Sequence, residues 1–264
     1  MSKDFTKMSP KELRAAFARG EWTEPTVGMG LGYLQCNLAI VPKEDALDLL
    51  LLCMRNPAPC PILEVTEPGS PFLTKIAKGA DIRKELPKYR IYKRGELVEE
   101  LTDITDYWRD DFVAFLIGCS LTFENALLKS NVPLRHLEGD AKIPVYISNI
   151  ELNPAGKFHG KMVVSMRPIP SDLVSRAVLV TSRFPAGHGA PVHIGNPEAI
   201  GIADINKVDF GAPPVMKPGD VPVFWGCGIT PQAVAMASKP EIMITHAPEC
   251  MLVSDLTEDE VSIF

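Results

Sequence analysis

A mixed α/β fold is predicted, with a larger three-layer α/β domain and a smaller two-layer α+β domain set into it. Three observations predict it. Toward both ends, strand-like apolar runs alternate with helical periodicity, as in α/β architecture. Between them, Tyr89-Arg-Ile-Tyr92-Lys-Arg-Gly95-Glu-Leu-Val98 alternates around a glycine turn and reads as a hairpin. The 264 residues, 46% of them apolar, suffice for one large domain or two modest ones with a real core. The expected division is 1–82 plus 170–264 for the larger domain and 83–169 for the smaller. A plain split into N- and C-terminal halves is the alternative.

The elements follow in order. Ser9-Pro10-Lys11-Glu12 is a capping box with proline at the first helical position. Leu13, Ala16 and Phe17 follow at helical spacing, and Gly20 stops the helix. Residues 33–40 read as a strand carrying Gln35 and Asn37 on one face, because side chains alternate. Residues 46–54 are helical and end at Arg55-Asn56-Pro57; 62–66 are strand-like. After the hairpin, 108–129 read as helical, interrupted by Gly118-Cys119-Ser120. Glycine there costs about 1 kcal/mol relative to alanine. Either one kinked helix buries Phe112, Phe115, Phe123 and Leu127, or a second helix starts near Ser120 and offers free amides. Strands are expected at 145–149, 162–166 and 178–181.

The C-terminal part is the most informative. In Pro222-Val-Phe-Trp225-Gly226-Cys227-Gly228-Ile229-Thr230-Pro231-Gln232 a short apolar strand meets a glycine turn and a helix start. Thr230 suits the N-cap and Pro231 the first helical position. Gly226 and Gly228 allow close approach of backbone to a ligand, and free amides at a helix N-terminus attract anions. The strand Ile242-Met-Ile-Thr245-His246 follows. If the unit is β-α-β, its strands are parallel, and Trp225 and His246 end on one sheet edge.

Other candidates lie in Ser182-Arg183-Phe-Pro-Ala-Gly187-His188-Gly-Ala-Pro-Val-His193-Ile-Gly195-Asn196-Pro197, with two histidines, three glycines and three prolines. Functional loops on such scaffolds follow strand ends. His188, His193 and His246 are the candidates for proton transfer, since an ordinary pKa near 6.5 suits neutral pH. For a metal, His188 and His193 with His246 or Glu64 are conceivable ligands. Their spacing matches no diagnostic motif, and no metal or cofactor is expected. Arg183, at a predicted strand end, and Arg83 are the best carboxylate grips. Cys227 is the best-placed thiol, with a lining role favoured over a nucleophilic one.

Net charge is −6 without a basic block, which argues against nucleic acid. No apolar window is long enough to span a bilayer, and Met1-Ser-Lys-Asp-Phe-Thr-Lys lacks a leader's apolar stretch. A cytoplasmic protein with six scattered, reduced cysteines is expected.

Taken together, the motifs resemble the D-glutamate cyclase family, whose bacterial members mostly carry the label hydro-lyase. The resemblance runs from about residue 9 to about residue 256. It rests on Gly32-Tyr-Leu-Gln35-Cys-Asn37, Asn56-Pro-Ala-Pro-Cys60-Pro61, Leu63-Glu64-Val-Thr66, Gly79-Ala-Asp81-Ile-Arg83 and Trp108-Arg109-Asp110-Asp111. It continues through Gly118-Cys119-Ser120, Phe123-Glu124, Ser165-Met-Arg167-Pro168, His188-Gly-Ala-Pro-Val-His193-Ile-Gly195, Pro222-Val-Phe-Trp225-Gly226-Cys227-Gly228 and Thr245-His246-Ala-Pro248. Departures are few: Asn196 stands where Asp is expected, Leu121 and Thr122 where Phe and Ser are, and Glu249 where glycine is. No carboxylate role is therefore carried to position 196.

The resemblance implies a two-domain cytoplasmic α/β protein that removes water from D-glutamate to give 5-oxo-D-proline without a cofactor. It supplies no catalytic assignment. The residues themselves suggest Gly226, Cys227, Gly228, Thr230, Arg183, Gln35 and Asn37 for binding a small carboxylate, the expected partner. A homo-oligomer is compatible with this reading. The rivals are a metal-assisted dehydratase or hydrolase on another small carboxylic acid, and a non-catalytic carboxylate-binding protein.

Overall fold

A computed structural model describes residues 4–138 and 142–263. The capping box forms as read: the Ser9 amide donates to Glu12 Oε2 at 2.9 Å, ahead of helix α1 (Pro10–Ala18). Strand β1 (Tyr33–Pro42) and helix α2 (Lys43–Arg55) follow, then β2 (Ile62–Val65) and the hairpin β3 (Tyr89–Lys93) and β4 (Glu96–Leu101). Next come β5 (Phe112–Gly118), α3 (Glu124–Lys129), β6 (Val145–Glu151), β7 (Lys161–Pro170) and α4 (Val174–Ser182). The chain closes with β8 (His193–Ile194), β9 (Asp220–Gly226), α5 (Thr230–Ser238), β10 (Ile242–His246), β11 (Leu252–Thr257) and α6 (Glu258–Val261).

The fold is mixed α+β. Among the described residues the strands form two sheets. One has seven strands in the order β2-β5-β1-β10-β3-β4, with β11 also on β1; the other has four, β6-β7-β9-β8. Residues 83–169 supply β3, β4 and β5 to the first sheet and β6 and β7 to the second. Each sheet thus mixes strands from both parts of the expected division.

Three sequence expectations are corrected. Residues 112–118 are a strand and not the first half of a helix. Phe112-Val-Ala-Phe-Leu-Ile-Gly118 is buried throughout, between β1 and β2. A strand covered on both faces shows no alternation, so its apolar run resembles a buried helix. The helix start near Ser120 does exist, as a 3-10 turn over Ser120–Phe123 that leads into α3. Residues 178–181 lie within α4. Their β-branched run resembles a strand, yet the helix buries Ala177 and Thr181 and leaves Leu179 exposed. Finally, β9 and β10 belong to different sheets and every strand pairing is antiparallel. Helix α5 packs on both β7 and β10, joining the sheets instead of crossing over one of them.

One seam positions the site. Along one edge, β1 pairs with β5 from Cys36 to Pro42. Along the other it pairs with β11 up to Cys36 and with β10 from Ala39 onward. Asn37 and Leu38 lie where that edge passes from one partner to the other. The loop 247–251 joins β10 and β11, the strands on either side of this gap.

Candidate active site

Two similar corners, one from each sheet, border the gap. Strand β5 ends in Gly118-Cys119-Ser120 and β9 in Gly226-Cys227-Gly228, each followed by a helical turn. The glycines are required by close approach. A β-carbon on Gly118 meets the Ala186 carbonyl oxygen at 1.6 Å, one on Gly226 meets that of Ala58 at 2.7 Å, and one on Gly228 meets Asn37 Nδ2 at 1.8 Å. The space beside Gly226 and Gly228 is therefore filled by Ala58 and Asn37.

Between the corners lies an inner cavity of about 30 Å³, roughly the share of one water molecule. Asn37, Cys119, Ser120, Ser165, Cys227 and His246 contribute its chemistry. Glu249 also lines it, and lines an outer vestibule of about 380 Å³ as well.

Behind one wall Arg167 is buried, 1% exposed, among apolar neighbours on β7. Its Nε donates to Glu124 Oε1 at 2.9 Å and its Nη2 to the same oxygen at 2.5 Å. Nη2 also donates to Ser120 Oγ at 3.0 Å, and Nη1 to Ser165 Oγ at 3.3 Å. The guanidinium lies 5.1 Å from the Phe123 ring centre and 5.7 Å from that of Trp225, in cation–π range. His136 Nε2 is 3.2 Å from Glu124 Oε2. Burial pushes the Glu124 pKa up, but the Arg167 charge and His136 outweigh it and hold the carboxyl below its ordinary value. Because Arg167 occupies acceptor positions on Ser120 and Ser165, their hydroxyl protons are left to point elsewhere. Among the described residues neither donates to a partner.

The opposite wall is neutral. His246 is 1% exposed, and Nδ1 lies 3.2 Å from the Leu38 amide. Nδ1 also lies 3.4 Å from the Leu38 carbonyl. The amide contact is the shorter of the two, and since an N–H can only donate, it makes Nδ1 the acceptor and puts the ring proton on Nε2. This amide has no strand partner at the seam, and the imidazole takes the place of the missing ladder acceptor. Nε2 is buried with no described partner. Burial holds the ring's pKa down at about 4 against the Leu38 carbonyl contact, with a smaller downward push from Arg90. At neutral pH His246 is thus an uncharged donor.

His188 has the complementary tautomer. Its Nδ1 donates to the Ala58 carbonyl at 2.7 Å, which leaves Nε2 a bare acceptor, buried and unpartnered among the described residues. Burial keeps its pKa at about 4 against the opposing Ala58 hydrogen bond, with a smaller downward push from Arg167. Burial pushes the Cys119 thiol up to about 12 and that of Cys227 up to about 11. Both are protonated at neutral pH, which favours lining over nucleophilic attack. All six cysteines are free.

The other candidates sit apart from the cavity. His193, on β8, meets the Asn196 carbonyl through Nε2 at 2.7 Å. Arg183 is exposed at the C-cap of α4, not at a strand end. Gln35 is buried beneath the site, with Oε1 2.8 Å from the Thr26 hydroxyl and Nε2 donating to the Met29 carbonyl. Thr230 Oγ1 donates to the Cys227 carbonyl at 2.7 Å and accepts from the Val163 amide. The first turn of α5 is thereby tied to neighbouring backbone. Glu64, a conceivable metal ligand, accepts the amides of Thr74, Lys75 and Ile76. Among the described residues no group of three or more His, Cys, Asp or Glu side chains is placed to hold a metal ion.

The sequence reading did not assemble the Arg167–Glu124–His136 cluster. One signal was an arginine in a strand that is apolar from Met162 to Ile169 but for Ser165, since a charge buried in a sheet needs a partner. Another was that Glu124 and Arg167 both stand in the strings that carry the family resemblance.

Comparison with known proteins agrees with the resemblance. A family model described as D-glutamate cyclase matches residues 113–255. A protein of Thermoanaerobacter sp. (strain X514), named "Putative hydro-lyase", is 61% identical over 256 residues, 97% of either chain. One of the same name in Psychrobacter arcticus is 55% identical over 260 residues, 98% of this chain and 99% of the other. "Putative hydro-lyase YcsI" of Bacillus subtilis is 54% identical over 256 residues, 97% of this chain and 100% of the other. No helix among the described residues is long and apolar enough to cross a membrane.

Proposed function

This chain belongs to the D-glutamate cyclase family, and we propose that it is a hydro-lyase that closes D-glutamate to 5-oxo-D-proline with loss of water. One observation carries the reading. His246, Ser120 and Ser165 line one small cavity, and the His246 Nε2–H and both hydroxyls have no described acceptor.

Cyclisation is an intramolecular acyl transfer. The α-nitrogen attacks the γ-carboxyl carbon, the tetrahedral intermediate carries a negative oxygen, and one γ-oxygen departs as water. Two of the three ammonium protons leave with that oxygen and the third stays on the amide. Holding glutamate folded supplies several kcal/mol, up to about 7–11 for ideal orientation. Donors aimed at the oxyanion add about 2.7–4 kcal/mol each. The cavity must widen beyond one water's volume to take a carboxyl end, with the rest of the substrate in the vestibule. His246 is assigned the oxyanion: a neutral imidazole donor requires no counter-charge in an apolar wall. Ser120 and Ser165 are assigned the second carboxyl oxygen, with Arg167 polarising both hydroxyls. Asn37, Cys119 and Cys227 shape the floor. His188 Nε2, outside the cavity lining, is a buried base in character that feels the Arg167 charge.

The reading needs no ATP and no metal, and it places the reaction in the cytoplasm on a free amino acid. Incubation with D- and L-glutamate and both 5-oxoprolines, followed by chiral chromatography, tests it. Formation of 5-oxo-D-proline from D-glutamate without added nucleotide is expected. No conversion of D-glutamate in either direction overturns it.

A further inference from the structure

Glu249 is the one lining residue that the inner cavity and the vestibule share. Its backbone is left-handed, with φ of +61°, a conformation glycine adopts freely and a larger residue seldom does. The surroundings hold it there. The Thr26 amide donates to the Glu249 carbonyl at 2.8 Å, and the buried Thr26 hydroxyl lies 3.0 Å from the same oxygen. That hydroxyl also accepts the Met251 amide, so the loop is tied to Thr26 at its middle and at its last residue. On the side chain, Oε1 accepts the Ile143 amide at 3.2 Å. Oε2 receives nothing from the described residues. A strained position is therefore occupied by a carboxylate with one oxygen in reserve, at the junction of two cavities.

The vestibule carries both signs of charge. Arg90 and Glu100 neutralise each other at 2.6 Å. Lys88 and Lys142 line it with Glu249, as do Glu24 and Asp209, the latter accepting the Ile147 amide. A ligand with adjoining positive and negative groups fits it, the cation against Glu249 and the anion toward the lysines. An α-amino acid head group has that pattern.

We propose that Glu249 receives the α-ammonium group of the substrate and positions its nitrogen at the mouth of the inner cavity, so that it selects amino acids over plain dicarboxylates. The assignment rests on the glutamate reading above. Burial raises the pKa of Glu249, the Ile143 amide and Lys142 opposing that effect. Such a carboxylate takes up a proton from the ammonium more readily than an ordinary one, and it can return that proton to the departing oxygen.

The test compares wild type, Glu249→Gln and Glu249→Gly, with D-glutamate as substrate and glutarate, its analogue without the amine, as competitive inhibitor. The glycine variant relieves the backbone strain, so a loss common to both variants is not a folding defect. The expected result is a fall in kcat/KM for D-glutamate of about tenfold or more in both variants, with the Ki for glutarate unchanged or lower. Parallel weakening of D-glutamate and glutarate, or no change in either, overturns the role of Glu249 while leaving the cyclase reading intact. A wild type that neither converts nor binds D-glutamate overturns the reading and the assignment with it.

Discussion

The two walls of the inner cavity are built on opposite electrostatic terms. Behind one, Arg167 and Glu124 form a buried ion pair whose donors go to Glu124, Ser120 and Ser165 and whose faces lie near Phe123 and Trp225. On the other, His246 is uncharged and keeps one donor with no described partner. Full charge is tolerated in the interior only with near-complete satisfaction, whereas a neutral imidazole can be left with an open donor at lower cost. A satisfied group holds geometry and an unsatisfied one awaits a ligand. The first wall is accordingly the scaffold and the second the reactive surface.

Breaking the scaffold is expected to have the largest effect. Arg167→Met or Glu124→Gln alone strands a buried partner and is expected to cost about 3–5 kcal/mol in urea unfolding. The double variant is expected to recover much of that loss without recovering activity. Equal damage from single and double variants argues against an ion pair that acts as a unit.

His246→Phe addresses the other wall. A fall in kcat of about 10²–10³-fold is expected, with a smaller change in stability than for Arg167. Retained turnover assigns the oxyanion to the serines alone.

The pH dependence tests both buried histidines. Their folded-state pKa values are depressed to about 4 from the ordinary 6.5. The unfolded chain therefore binds protons first as pH falls. The stability due to each ring is fully present above about pH 6.5 and is lost progressively toward pH 4, on the order of 3 kcal/mol per ring. Urea midpoints measured across that window are expected to fall with pH, and less steeply in a His188→Asn variant.

Two smaller effects complete the series. Cys227→Ala is expected to lower activity by less than about tenfold, and Cys227→Val to harm it more, because added bulk enters the cavity beside Ile143 and Ile229. A covalent substrate adduct on Cys227, seen by mass spectrometry, contradicts the lining role. Arg183→Lys, at an exposed helix end, is expected to change the KM for D-glutamate by under about fivefold.

Of the residues singled out from the chain as binding or catalytic, Asn37, Cys227 and His246 line the cavity, and Arg183, His193 and Gln35 lie elsewhere. The strand edge expected to unite two of the motifs does not exist. Trp225 and His246 do not share a sheet edge, and Trp225 faces the core with its Nε1 donating to Thr181. The strand–helix–strand pattern is local, and nothing in it says which sheet accepts the next strand. The serine hydroxyls matter because of Arg167, whose partner Glu124 is 43 positions away.

By itself the sequence determined the capped helix at Ser9, the 89–98 hairpin, the glycine corners and the family. Each rests on spacing within a few residues or on a specific string of them, and caps, turns and close backbone approach are enforced over that range. Tertiary structure alone decided that 112–118 is a strand, that β9 and β10 part into two sheets, and that His246 completes the ladder of β1 with its own ring. A uniformly apolar run has no period to read, and a pairing partner is chosen by the burial of whole sheets. The protonation of His246 and Glu249 follows from that burial and that of Glu124 from the Arg167 and His136 charges brought beside it, so the chemistry of the cavity is set only once the two sheets close around it.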